Sequence, residues 1–143
     1  MNDSQRTRQP LVDGAILARL REELQPDPWI CDRFIHNYIR LLPARLDSLD
    51  RAMESLDSEA ALDAVLSLKT SSLMVGASRL GVLAGDLEWK LRLCPPGPGP
   101  GSAPSASVFL THLESIRDCT AGTIARLESQ TTKPQPAIRA KIK

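Results

Sequence analysis

Apolar residues recur at three- and four-residue spacing along most of this chain, and that rhythm predicts helices. Leu11, Ile16, Leu17, Leu20 and Leu24 give a short first helix whose other face is charged. Pro26-Asp27-Pro28 breaks it, and Asp27 before Pro28 has the form of an N-cap followed by a first-turn proline. A long helix is predicted from about Pro28 to Leu56, because Cys31, Ile35, Ile39, Leu42, Leu46, Leu49, Met53 and Leu56 keep one phase. Pro43 falls inside this run. The pattern continues in phase across it, so Pro43 is expected to kink the helix and not to end it. Asp57-Ser58-Glu59 reads as a turn with Ser58 as the next cap.

A third helix is predicted from about Glu59 to Val75, with Ala61, Val65, Leu68, Ser72 and Val75 inward, and Gly76 permits a sharp turn after it. A fourth helix, Ala77 to about Leu93, buries Leu80, Leu83, Ala84, Leu87 and Leu91. Residues 94–103 are too rich in proline and glycine for helix and read as a loop with little stiffness at its glycines. A fifth helix spans about Pro104 to Ser129, with Phe109, Leu113, Ile116, Thr120, Ile124 and Leu127 inward. Residues 1–10 and the basic tail 130–143 are expected to be disordered. Short connections make successive helices antiparallel. The expected fold is therefore all-α, a single domain over residues 11–129: an antiparallel up-down-up-down four-helix bundle with an additional short N-terminal helix.

Composition narrows the function more than it does the fold. The chain of 143 residues is 42% hydrophobic, and 18 basic residues nearly cancel 17 acidic ones, so net charge makes no case for a nucleic-acid or anionic-membrane partner. No apolar run approaches the roughly 20 residues of a membrane span. Met1–Pro10 has no apolar core, so it does not read as a signal peptide. Cys31, Cys94 and Cys119 have no zinc or redox spacing and are expected to be buried free thiols, as in a cytoplasmic protein. No cofactor or metal site and no catalytic pair is expected.

The chemistry-bearing stretch is Leu66-Ser67-Leu68-Lys69-Thr70-Ser71, followed by Gly76-Ala77 and then by Leu80 and Leu87-Glu88. It resembles the signature of histidine phosphotransfer (HPt) domains, which read His-x-Leu-Lys-Gly-Ser and then, a few residues on, Gly-Ala. The resemblance covers about residues 11–93. It implies a partner in two-component phosphorelay signalling, either the receiver domain of a response regulator or a sensor histidine kinase. In that family the histidine attacks an aspartyl phosphate, a lysine three residues on offers a cation to the phosphoryl oxygens, and a glycine four residues on keeps the face low. Here Lys69 fills the lysine slot, Thr70 stands at the glycine and Leu66 at the histidine. Leucine has no lone pair, so the phosphoacceptor role is not carried over to Leu66. The expectation is a non-enzymatic docking module. An active phosphocarrier would have to use His112 or, less readily, His36, and retention of Lys69 is its only support.

Helical projection adds an argument that needs no family. At about 100° per residue, Leu62, Leu66, Lys69 and Leu73 share an arc of about 60°, rotated about 130° from Leu68. They form a second apolar stripe about 16 Å long. Leu62, Leu66, Lys69, Thr70 and Leu73 are thus the candidate binding residues. Two arrangements would instead cover the stripe: the first helix folded over it, or a second copy of the chain in a homodimer. Other features change this picture little. Phe34 and Tyr38 read as a packing pair, Trp29 and Trp89 as anchors near helix ends, and Arg33, Arg40 and Arg51 as one solvated face.

Overall fold

The computed structural model describes residues 9–24 and 28–131, and every regular element among them is helical. The helices are α1 (Gly14–Glu23), α2 (Pro28–Glu54), α3 (Ser58–Met74), α4 (Ser78–Leu93) and α5 (Leu110–Gln130), the last preceded by one 3-10 turn at Ala106–Phe109. The all-α expectation holds. Residues 1–8, the expected Asp27 cap and residues 132–143 of the expected tail lie outside the described residues.

Helix boundaries follow local chemistry. α1 begins where the Asp13 carboxylate accepts the Ala15 N–H at 3.0 Å, so Leu11 and Val12 precede the helix instead of opening it. α3 is capped by Asp57, whose Oδ1 accepts the Ala60 N–H at 3.0 Å; the expected cap, Ser58, is the first helical residue. α2 runs through Pro43 without interruption. Both α2 and α3 stop in the same way: the Asp57 N–H donates to Ala52 O at 2.9 Å with Leu56 at φ 56°, and the Ala77 N–H donates to Ser72 O at 2.8 Å with Gly76 at φ 81°. Glycine takes that left-handed backbone freely, whereas Leu56 holds it at a cost.

The core is built from Ile35, Leu42, Leu49 and Met53 of α2, Val65 and Leu68 of α3, Leu80 and Leu87 of α4, and Ile116 and Leu127 of α5, closed by Phe109 and by Leu17 of α1. Each such side chain contributes about 1.5–3 kcal/mol on burial. Tyr38 also joins the core, through a buried 2.7 Å hydrogen bond with Ser72, while Ile39 is only half-buried. The most extensive packing is α3 on α4, then α2 on α3 and α4 on α5, with α5 returning to α2.

α1 packs on α2 and is fastened at both ends. At its start the Asp13 N–H donates to Gly76 O at 2.7 Å, while Arg79 donates from its backbone to Pro10 O at 3.0 Å and from Nε to Gln9 O at 2.8 Å. Gln9 and Pro10 are therefore held, contrary to the expected disordered lead-in. At its end Arg21 donates to Gln130 O at 2.6 Å and pairs with the buried Asp32 at 3.5 Å, joining α1, α2 and α5. The proline- and glycine-rich loop is also more ordered than expected. Gly97 N–H donates to Ala103 O at 2.9 Å, Ala103 N–H donates to Pro95 O at 2.8 Å, and Ala103 is buried. Cys31 and Cys119 are buried free thiols, but Cys94, at the loop, is half-buried.

Candidate functional site

The candidate site is the shallow surface where α3 lies along α4. α4 presents Gly81, Gly85, Glu88 and Arg92 at spacings of four, three and four, which place them on one stripe. Two of those four positions carry no side chain, and α3 uses the space. A Cβ on Gly81 would stand 2.4 Å from Leu73 Cδ2, and one on Gly85 would stand 3.8 Å from Lys69 Cδ. Leu73 and the Lys69 stem thus lie across the glycine floor of α4.

Of the expected binding residues, Leu62 packs on the core and is half-buried. Leu66 is half-buried without belonging to the core, Thr70 is exposed, and Leu73 is 41% exposed. The stripe therefore exists, as an edge shared between α3 and α4. α1 does not run along it. It borders only the Leu73 end, where Ile16, Arg19, Leu20 and Glu23 of α1 and Leu73 and Met74 of α3 line a cleft of about 340 Å³. Met74, the neighbour of Leu73, is 50% exposed.

Electrostatics at the stripe centre on Glu88. Lys69 Nζ donates to Glu88 Oε1 at 2.8 Å, and Arg92 Nε donates to Glu88 Oε2 at 3.0 Å. The Lys69 hydrogen bond, with help from Arg92 and against the effect of burial, holds the Glu88 carboxyl below its usual range. The three groups carry one net positive charge, and an anion approaching Lys69 competes with a carboxylate already in place. Leu66 sits one turn before Lys69 and Thr70, so the surface offers apolar contact and a shielded cation, and Leu66 itself carries no nucleophilic atom.

His36 is half-buried on α2, and His112 is half-buried on α5, a helix that packs on α4 and α2 and not extensively on α3. Among the described residues no group of three or more His, Cys, Asp or Glu is placed to hold a metal ion, and no helix is long and apolar enough to cross a membrane.

Sequence reasoning missed Gly81 and Gly85 as the floor, and it missed the Glu88 clamp on Lys69. The i, i+4 glycine pair within α4 was the available signal for the first. Trp89 and Leu93, expected as an anchor and a helix end, are each 65% exposed one turn apart on the flank of the same α4 stripe. Comparison of the chain with protein-family models, with curated proteins and with solved structures finds no match.

Proposed function

We propose that this chain is a phosphotransfer-like docking module without phosphotransfer chemistry: it binds a receiver domain or a sensor histidine kinase through the α3–α4 surface around Leu66 and accepts no phosphate. In this reading the helices form an antiparallel up-down-up-down four-helix bundle of the HPt type, with α1 as an accessory helix, working in the cytoplasm. The packing of α2 on α3, α3 on α4, α4 on α5 and α5 back on α2 supports a closed four-helix ring.

The observation that carries the proposal is the accessible Leu66–Leu73 edge beside a lysine held in place. A surface position released from histidine chemistry would be expected to turn polar in water. Here it is leucine, one turn before Lys69, whose stem lies over Gly85 of α4, while Leu73 further along the same edge lies over Gly81. Covering such leucines would contribute about 1.5–3 kcal/mol for each one fully buried. Titration against purified receiver domains and kinase domains tests this. Binding that weakens at least tenfold in Leu66→Asp and in Leu73→Asp is expected; unchanged affinity in both variants overturns it.

A further inference from the structure

The cleft between α1 and the end of α3 is a second surface, and its chemistry is self-complementary. Its apolar floor is Ile16, Leu20 and Leu73. Beside that floor projects Met74, half-exposed and flexible, a side chain suited to filling an irregular gap. Hole and knob therefore lie next to one another on one patch, which is what a two-fold interface between identical chains requires. The rim adds a charge argument. Arg19 and Glu23 are one helical turn apart on α1, both line the cleft, and neither makes an ion pair with another described residue. A two-fold axis passing between them would set Arg19 of each copy opposite Glu23 of the other, giving two ion pairs from one residue pair.

We propose that a second copy of this chain occupies the cleft, forming an isologous dimer in which Met74 of each copy enters the cleft of the other and Arg19 pairs with Glu23 across the axis. This interface is separate from the Leu66 edge and stands whether or not the chain docks on a signalling partner. Leu73 is the one residue common to both surfaces, and Leu66 lies outside the cleft.

Sedimentation or light scattering over a concentration series tests it. The full chain is expected to approach twice its monomer mass of 15.6 kDa as concentration rises. Met74→Asp should remain at the monomer mass with unchanged helix content by circular dichroism, while Leu66→Asp should dimerise like the parent. The charge variants are sharper. Arg19→Glu alone and Glu23→Arg alone each place like charges opposite one another twice, so each should be monomeric. Mixed in equal amounts, one chain carries two rim anions and the other two rim cations, and a heterodimer should form. A monomer at every concentration, which would leave the cleft to a foreign partner or to another segment of the chain, overturns the proposal. So does a dimer that survives both single charge reversals, or a mixture that stays monomeric while the parent dimerises.

Discussion

Leu73 can lie flat on α4 only because residue 81 is glycine: any Cβ there would come within 2.4 Å of Leu73 Cδ2. The contact couples the two positions in a measurable way. Alanine in a helix interior is favoured over glycine by about 0.8–1 kcal/mol. With Leu73 present, Gly81→Ala must push that side chain aside and should lose most of that gain or turn destabilising. In a Leu73→Ala background the obstruction is gone, and Gly81→Ala should stabilise by about 0.5–1 kcal/mol. Urea unfolding of the four proteins of this cycle measures the coupling. Equal effects of Gly81→Ala in both backgrounds would mean that Leu73 does not occupy the glycine floor.

The Lys69–Glu88 pair should show itself in the pH dependence of stability. The folded-state pKa of Glu88 is depressed by Lys69 first and Arg92 second. Its contribution is therefore present above the unfolded carboxyl value of about 4.3 and is lost as pH falls through the lower folded value. Lys69 and Arg92 are substantially solvated, so the expected effect is modest. Glu88→Gln should cost about 0.5–1 kcal/mol near neutral pH. That difference should shrink as pH falls through the depressed folded pKa, because the parent carboxyl then becomes protonated as well. Denaturant midpoints over a falling pH series check this, and a difference that stays constant throughout would assign the loss to packing.

Much of this architecture was readable from the chain, and the parts that were not share a cause. The α2 periodicity from Cys31 to Met53 survived Pro43 because seven apolar positions in phase outweigh one missing backbone donor. The second stripe on α3 was readable for the same reason, since periodicity reports which residues share a face. It does not report what lies opposite. Gly81 and Gly85 contribute no apolar signal, so the floor that receives Leu73 and Lys69 left no mark in the hydrophobic periodicity and only the four-residue spacing of the two glycines pointed to it. The Lys69–Glu88 bond joins residues 19 apart on different helices, a pairing that only the packing of α3 on α4 creates. Asp57 outcompeted Ser58 as cap by a single position, an error of the size expected for helix ends. The held residues Gln9 and Pro10 were misjudged because their partner, Arg79, is 70 residues away from Gln9.

Gly76 should tolerate no side chain. Its φ of 81° penalises any L-residue, and an added Cβ would meet Asp13 O at 2.9 Å, a backbone atom that cannot swing away. The same glycine accepts the Asp13 N–H that fastens the start of α1. Gly76→Ala should destabilise by about 1–3 kcal/mol and should raise amide hydrogen exchange in α1 more than in α2 or α3. Uniform acceleration in all helices would show that α1 is not separately fastened there.

Tyr38 is the chain's single tyrosine, which makes its titration directly visible in ultraviolet absorbance. Burial is the main cause that pushes its phenol up to about 12, with the Ser72 hydrogen bond working in the opposite direction. The absorbance midpoint should therefore lie well above the ordinary value of about 10 while the protein stays folded. A group whose folded pKa is raised leaves stability unchanged below the unfolded value and erodes it above. The parent should lose up to about 2–3 kcal/mol between about pH 10 and pH 12 through this group. Tyr38→Phe should lack that part of the alkaline loss. At neutral pH it should cost about 1–2 kcal/mol, because Ser72 Oγ is left buried without its phenol. A tyrosine midpoint near 10 in the folded protein would show that the phenol is solvated.

The most demanding expectation concerns Leu66 itself. If the α3–α4 surface still fits a receiver domain, what it lacks is a lone pair at position 66 and a low position at 70. Leu66→His would restore an imidazole one turn from Lys69, at a position that is only half-buried and so open to an incoming aspartyl phosphate. Lys69 is held by Glu88, which would orient the ammonium but also compete with the phosphoryl oxygens for it. Incubated with a receiver domain that binds the parent chain and carries a labelled phosphoryl group, Leu66→His should take up acid-labile label where the parent takes up none. Adding Thr70→Gly should raise the rate by clearing the branched side chain, and adding Glu88→Gln should raise it further by freeing Lys69. No label in the triple variant, with receiver binding intact, would show that the docked surfaces do not align at position 66, and the docking reading would then have to move away from that residue.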